Sequence, residues 1–236
     1  MDINLILGVK DNYDAPRAMM MKLLNPKKRN TMFNNLLKLF DYKVDYDWFQ
    51  KYFEDEHAER KSKGQDFSPM EIGELLSKLI GNSDSGSTTY DVGAGTGTLI
   101  IARWNDERMC HLPWDYKPSN YLYISEELSG RAIPFLITNM AIRGMNAVVL
   151  HGDTLQREFS QIFFIQNSDD NPLGFSEINV MPRNKQVEKC FDVQSWVDEP
   201  ITHIESPIVP QYLAGSVYET LVSKDSQGGC NGSCNI

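Results

Sequence analysis

Three glycines at alternate positions, Gly93, Gly95 and Gly97, stand in the stretch TTYDVGAGTGTLIIARW, two residues after Asp91. The five residues before the glycines predict a short buried strand, and the residues after them predict a helix. A glycine-rich turn between a strand and a helix presents backbone N–H groups and the positive end of the helix to a ligand. The spacing differs from the dinucleotide-binding Gly-x-Gly-x-x-Gly and lacks the Lys-Ser/Thr ending of a P-loop.

Two more acidic residues follow the next two predicted strands. Glu126 comes at the end of a strand over residues 121–125, and Asp153 comes after a strand over residues 147–152. Because the carboxyl ends of parallel strands meet at one edge of a sheet, both acids face one crevice. Glu126 can accept both hydroxyls of a ribose, and Asp153 is placed to meet an adenine edge. Either acid alone is typical of a helix N-cap, but the two acids and the glycine turn together predict an adenosine-type pocket.

The elements that position these residues alternate along the chain. Strand patterns separated by helix patterns indicate an α/β fold with a mostly parallel sheet and helices on both faces. Residues 15–60 predict a preceding helical region. The predicted helices of the sheet region cover residues 68–81, 97–109 and 129–144, and the predicted strands cover residues 88–92, 121–125, 147–152 and 161–167.

Composition narrows the class of protein. The net charge of -9 argues against a broad nucleic-acid-binding surface. Residues 1–64 carry 12 Lys and Arg against 10 Asp and Glu, whereas the remainder carries 11 against 22. If the protein contacts DNA, this first part or a partner must carry much of the phosphate contact. No apolar run reaches the roughly 20 residues of a membrane span and no signal segment is recognisable, so we expect a cytoplasmic protein with no membrane contact.

The four cysteines do not predict a metal site or a disulfide framework. Cys230 and Cys234 are spaced as Cys-x3-Cys, but no second cysteine or histidine pair accompanies them. A structural zinc site needs four ligands. We therefore expect no metal and a polar tail.

The series FSP…YDVGAGTG…YISEEL…NMAIRGMNAVVLHGDTL resembles the S-adenosylmethionine-dependent DNA adenine-N6 methyltransferases, in particular the modification subunit of type I restriction systems. The resemblance covers roughly residues 65–156. It implies a Rossmann-like class I methyltransferase fold, S-adenosylmethionine as cofactor, and contacts with DNA and with a specificity-type subunit or a second copy. The cofactor-binding residues that it implies are Phe67, Ser68 and Pro69, Asp91, Gly93, Ala94, Gly95 and Gly97, and Glu126 and Asp153.

With this resemblance the chain divides into three predicted parts. Residues 1–64 are a helical N-terminal region, residues 65–223 are the Rossmann-like cofactor-binding domain, and residues 224–236 are a disordered tail.

The family's acceptor motif, Asn/Asp-Pro-Pro-aromatic, does not occur in this sequence. In that motif carbonyl oxygens accept hydrogen bonds from the adenine amine and the ring stacks on the flipped base. Two stretches are candidate replacements. Asn167 ends the fourth predicted strand, while Asn171 and Pro172 precede Phe175 and supply an amide, a rigid turn and a ring. Either asparagine is also a typical turn residue.

Three functions remain open at this point. The leading prediction is a DNA adenine-N6 methyltransferase related to type I restriction-modification. The second is a catalytically degenerate cofactor-binding or interaction protein that joins or mimics a modification complex. The third is a methyltransferase for an acceptor other than DNA, whose chemistry needs no Asn-Pro-Pro-aromatic motif.

Overall fold

A computed structural model describes residues 2–56, 69–81 and 87–206 of the chain. Predictions outside these ranges are those for Phe67 and Ser68, for the domain boundary after residue 64, for the tail over residues 224–236 and for the cysteine pair. Within the described ranges, no helix is both long enough and apolar enough to cross a membrane.

The elements alternate largely as the sequence predicts. The helices are α1 (Ile3–Leu7), α2 (Ala15–Leu23), α3 (Pro26–Leu39), α4 (Gln50–Glu56), α5 (Met70–Ile80), α6 (Thr98–Met109), α7 (Ile133–Ile142) and α8 (Lys185–Phe191). The strands are β1 (Ser87–Val92), β2 (Tyr121–Glu127), β3 (Ala147–Asp153), β4 (Glu158–Gln166), β5 (Glu177–Val180) and β6 (Ser195–Trp196).

The strands form one mixed sheet in the order β1-β2-β3-β4-β5, with β6 beside β4. The pairs β1–β2, β2–β3 and β4–β6 are parallel, whereas β4 runs antiparallel to both β3 and β5. Helices flank the sheet, and the architecture is the predicted α/β, Rossmann-like methyltransferase fold.

β4 is an exception within the mostly parallel sheet that the sequence predicts. Only residues 154–157 separate β3 from β4. A parallel crossover needs about a dozen residues or more, whereas a hairpin can close with very few. The chain therefore turns back at once, and the two strands pair from Asp153–Glu158 down to Ala147–Ile165.

The helices before residue 57 share a core with one face of the sheet. Met19 of α2, Phe33 of α3 and Phe49 belong to the same buried cluster as Phe135 of α7 and Val149 of β3. The rings of Phe49 and Phe135 lie 5.1 Å apart. A second buried cluster on the opposite face joins β2, β3 and β4 to α8.

The region after residue 176 contains regular structure that the sequence patterns did not reveal. Asn184 caps α8, because its side-chain oxygen accepts hydrogen bonds from the backbone N–H groups of Gln186 and Val187 at 3.0 and 2.9 Å. β5 is four residues long and β6 two residues long. Segments this short carry too little periodicity to stand out in a sequence.

A matched pair of methionines on α2 tests whether the helical region is integral to the fold. Met19 is 0% exposed and Met21 is 67% exposed. We expect Met19→Ala to lower the free energy of unfolding by about 2–5 kcal/mol because it leaves a cavity in the shared core. Met21→Ala should change it by less than about 0.5 kcal/mol.

Denaturant unfolding followed by circular dichroism and tryptophan fluorescence measures both variants. A single transition by both probes is expected, since helices and sheet share one core. Equal stability of the two variants would contradict the buried position of Met19.

Candidate functional site

The glycine turn after β1 has a backbone that suits glycine at each of its three positions. Gly93, Gly95 and Gly97 have φ angles of 74°, 58° and 99°, in the left-handed region. A Cβ atom on Gly97 would also lie 2.8 Å from a methyl group of Leu136. The N–H of Gly93 donates to the backbone oxygen of Glu126 at 2.8 Å, which fixes the turn against the end of β2.

The buried carboxylate of Asp47 fixes the glycine turn through hydrogen bonds. One oxygen of Asp47 accepts hydrogen bonds from the hydroxyls of Thr96 and Thr98 at 2.5 and 2.8 Å. Its other oxygen accepts from the side-chain amide of Asn139 at 2.8 Å and from the N–H of Phe49 at 2.9 Å. Asp47 therefore joins the segment before α4, the glycine turn and α7, and no sequence motif had identified it.

Arg143 at the end of α7 fastens the same segment. Its guanidinium donates to the backbone oxygens of Val44 and Tyr46 at 2.8 and 2.6 Å and lies over the Trp48 ring at 4.9 Å. Burial lowers the pKa of Arg143 to about 9, and the negative charge of Asp47 opposes that shift. Arg143 therefore remains positive at neutral pH and compensates the buried carboxylate.

Above the turn lies a crevice of about 400 Å³ at the carboxyl ends of β1, β2 and β3. Such an edge is where open α/β sheets bind ligands. Five of the predicted cofactor-binding residues line it, namely Asp91, Gly93, Ala94, Gly95 and Asp153. Among the described residues, no cluster of His, Cys, Asp and Glu side chains has a metal-binding arrangement.

Glu127, rather than Glu126, is the acid of β2 that lines this crevice. One oxygen of Glu127 accepts from the N–H of Gly95 at 2.7 Å, and the other accepts from the N–H of Ser129 at 2.6 Å. Each oxygen retains a lone pair for a ligand hydroxyl. The charge therefore lies beside the glycine turn, in the position that the sequence pattern had predicted for Glu126.

The structure does not bring Glu126 into the crevice, which corrects its predicted position. Its side chain is 1% exposed and pairs with Arg157, whose Nη1 lies 2.9 Å from both carboxylate oxygens. The Tyr90 hydroxyl donates a further hydrogen bond to it. Successive residues of a strand face opposite sides of the sheet. Since β2 extends to Glu127, two residues beyond its predicted end, the second glutamate faces the crevice.

Asp91 presents the crevice with an acceptor that is unused within the described structure. Its Oδ2 atom is buried and has no hydrogen-bond partner among the described residues. Burial, and to a lesser extent the nearby charge of Glu127, raises the pKa of Asp91 to about 6. A ligand that carries a donor or a positive charge would relieve both effects.

Asp153 lines the crevice but also organises the β3–β4 hairpin. Its carboxylate accepts from the N–H groups of Leu155 and Gln156 at 2.8 and 3.0 Å. Pro69 is described directly before α5 and is not among the residues that line the crevice.

The predicted acceptor residues lie at the opposite end of the sheet. Asn167 follows β4, and its N–H donates at 2.8 Å to Asn146, the residue before β3. The crevice adjoins Asp153 at the other end of β3, six residues from Ala147 and hence roughly 20 Å away. The antiparallel direction of β4 causes this separation.

Asn167, Asn171, Pro172 and Phe175 therefore form a loop remote from the glycine turn, which corrects their predicted placement. The Asn167 amide donates at 2.8 Å to the backbone oxygen of Asn171, as in a turn. The Phe175 ring packs on Phe33 of α3, with ring centroids 5.2 Å apart. These contacts are structural.

A known protein family matches the part of the chain that contains the strands of the crevice. A family model described as N-6 DNA Methylase matches residues 44–177. The matched region begins three residues before Asp47, contains β1 to β4, and ends at the first residue of β5. No individually curated protein matches the chain.

Asp47 and Asp45 form a matched pair, since Asp47 is buried and Asp45 is exposed. We expect Asp47→Ala to lower the free energy of unfolding by about 3 kcal/mol or more, because it leaves buried donors and the Arg143 charge uncompensated. Asp45→Ala should change it by less than about 0.5 kcal/mol. Urea unfolding of the two variants measures the difference, and similar values would show that the buried network is not required.

Proposed function

The chain belongs to the N-6 DNA methylase family, and we propose that its crevice binds S-adenosylmethionine for methyl transfer to the N6 amine of adenine in DNA. Family membership supports methyltransferase activity, and such enzymes are generally S-adenosylmethionine-dependent. The observation that carries the proposal is the joint position of Asp91 and Glu127 beside the glycine turn at one crevice.

The donor set of the crevice fits this cofactor. The unused Oδ2 of Asp91 suits the ammonium group of the methionine part, and the Glu127 carboxylate suits two ribose hydroxyls. Leu128 and Leu155 line the rim and are largely exposed, so an adenine ring would cover apolar surface there. When bound, the cofactor supplies a methyl group on a positively charged sulfur.

The groups that would hold the acceptor adenine differ from the asparagines that the sequence predicted. No asparagine is among the described residues that line the crevice. Asn167 and Asn171 lie too far away to hold an adenine amine. Under this proposal, groups outside the described residues or from a partner hold the base.

This observation favours a second candidate function. The chain would be the cofactor-binding component of a modification complex, and a specificity-type partner would contact DNA and contribute the acceptor groups. The negative charge of the residues after 64, with 11 Lys and Arg against 22 Asp and Glu, supports reliance on a partner for phosphate contacts.

Calorimetry with S-adenosylmethionine followed by a tritium-transfer assay on unmethylated DNA tests both functions. Binding with label transfer by the isolated chain supports the enzyme acting alone. Binding without transfer supports the component of a complex. Absence of any binding heat at millimolar cofactor, with the protein folded, would refute both.

Adjacent glutamates give a sharper test of the crevice. We expect Glu127→Gln to weaken S-adenosylmethionine binding by on the order of 10- to 100-fold, because it removes charge-assisted hydrogen bonds to the ribose. Glu126→Gln should leave affinity within about twofold and lower stability instead, since Glu126 pairs with the half-buried Arg157. Calorimetry and thermal unfolding measure both variants, and a greater loss of affinity in Glu126→Gln would reverse the assignment.

The raised pKa of Asp91 predicts a pH-dependent affinity. Its pKa near 6 means that the free crevice holds a proton below that pH, and the ammonium group of the ligand must displace it. Affinity should therefore fall by up to tenfold per pH unit below about 6 and level off above it. Asp91→Asn should bind more weakly above pH 6 and show little dependence between pH 5 and 7.

The raised pKa of Asp91 affects the stability of the free protein in the opposite direction from its effect on affinity. Because the native state holds the proton more tightly than the unfolded state, the contribution of Asp91 to stability is greatest below its ordinary pKa of 3.8 and falls as pH rises to about 6.

Calorimetry with S-adenosylhomocysteine between pH 5 and 8 measures the predicted effect of pH on binding. If the affinity of the wild type and of Asp91→Asn depended on pH in the same way, the predicted role of Asp91 in binding would be contradicted.

A further inference from the structure

A cavity between α1, α2 and α3 is lined by several positive charges. Its volume is about 250 Å³. Among the described residues that line it, three are lysines, namely Lys22, Lys27 and Lys28, and none is acidic. These three side chains are called the lysine cluster below.

The short connection between two helices brings the lysine cluster together. Lys22 lies in the last turn of α2, and Lys27 and Lys28 lie in the first turn of α3. Only Leu24 and Asn25 separate the two helices, so their ends lie side by side. The side-chain oxygen of Asn25 accepts a hydrogen bond from the N–H of Lys28 at 3.1 Å, which fixes the start of α3.

The other residues that line the cavity are polar along α3 and apolar beneath it. Lys28, Thr31 and Asn35 are spaced by three and four residues and therefore share one side of the helix. The Asn35 amide is a further donor for an anion, whereas the Thr31 hydroxyl donates at 3.0 Å to a backbone oxygen of its own helix. Ile6 and the buried Met32 complete the lining.

The stability of the free protein does not explain this placement of charge. The N-terminal end of a helix carries a partial positive charge, so Lys27 and Lys28 lie where cations are unfavourable. α3 has no acidic residue in its first turn to offset them. The ion pairs within the described structure involve none of the lysine cluster. A bound anion would relieve the repulsion among these charges.

Phosphate groups are the anions that suit this set of donors. Lysine binds phosphate as a point charge on a flexible chain, and three ammonium groups converge on one concave surface here. Lys27 and Lys28 are exposed. A phosphate bound by them therefore stays at the surface, where a nucleic-acid strand can continue on both sides of it.

Helix α2 connects the lysine cluster with the rim of the crevice. Arg131, which adjoins the crevice residue Ala132, donates at 3.1 Å to the backbone oxygen of Tyr13. Tyr13 lies two residues before α2. From Ala15 to Lys22 the helix rises by roughly 10 Å, which corresponds to about three base-pair steps of a duplex. A duplex bound at the crevice therefore extends as far as the lysine cluster.

We propose that the lysine cluster binds the phosphate backbone of DNA. The inference rests on the proposed function for the identity of the polymer, because the acceptor adenine there belongs to DNA. A chain with a net charge of -9 repels phosphates over most of its surface, so contact with DNA needs a local group of cations. Residues 1–64, with 12 Lys and Arg against 10 Asp and Glu, contain this group.

Fluorescence anisotropy of the full chain with a short labelled duplex tests the proposal with two triple variants of equal charge. The cluster variant combines Lys22→Ala, Lys27→Ala and Lys28→Ala. The control variant removes three exposed lysines that do not line the cavity, namely Lys38→Ala, Lys43→Ala and Lys185→Ala.

We expect the cluster variant to bind the duplex at least about tenfold more weakly than the wild type at about 50 mM salt, and the control variant within about twofold. Each phosphate contact contributes about 0.9 to the slope of log K against log salt concentration. The slope of the cluster variant should therefore be smaller by up to about 2.7. Thermal unfolding checks that both variants fold, and loss of cations from the first turn of α3 should not lower the midpoint.

Equal losses of DNA affinity in the two variants would overturn the proposal, as would absence of DNA binding by the wild type at low salt. If the cluster variant lost binding to vesicles of anionic lipid and kept its affinity for DNA, the lysine cluster would be assigned to a lipid surface instead.

Calorimetry with S-adenosylmethionine on the same proteins separates this proposal from the proposed function. Both variants should keep the cofactor affinity of the wild type, since no lysine is among the described residues that line the crevice. DNA binding that depends on the lysine cluster, in a protein that binds no cofactor, would uphold the proposal and refute the proposed function. Cofactor binding without DNA binding would overturn the proposal alone.

Discussion

The candidate site depends most on the hydrogen bonds and the opposite charge that compensate the buried carboxylate of Asp47. Burying a carboxylate costs several kcal/mol unless hydrogen bonds and an opposite charge compensate it. Here Thr96, Thr98 and Asn139 provide side-chain donors, and the buried Arg143 provides the charge. The compensation exists only when the segment before α4, the glycine turn and α7 are all in place. The network therefore couples the helical N-terminal region to the geometry of the crevice.

This coupling explains why the helices before residue 57 are part of the fold. Their apolar side chains share a core with α7 and β3, while their polar contacts reach the glycine turn. The region matched by the N-6 DNA methylase family begins at residue 44 and so includes the segment that supplies Asp47. Packing and polar contacts therefore both tie the helices before residue 57 to the crevice.

How far the sequence could predict the site depended on how local each signal was. The glycine turn, α5 and β3 were predictable, since caps, glycines and apolar runs act within a few residues. Glu126 and Glu127 were not separable, because adjacent glutamates at a strand end differ only in which face they occupy. Asp47 was not predictable, because its donors lie 49, 51 and 92 residues away in the chain. The reversal of β4 is a different case, because four residues between Asp153 and Glu158 cannot form a crossover. The length of this connection, which the sequence contains, is by itself enough to place Asn167 at the far end of the sheet.

The acidic residues that line the crevice give it a preference for positively charged ligands. Asp91 and Glu127 place two carboxylates in one partly buried space, and Glu127 contributes to the raised pKa of Asp91. A positively charged ligand stabilises this pair more than a neutral one. Under the proposed function, S-adenosylmethionine carries a positive sulfur that S-adenosylhomocysteine lacks. The two acids would therefore hold the methyl donor more strongly than the demethylated cofactor.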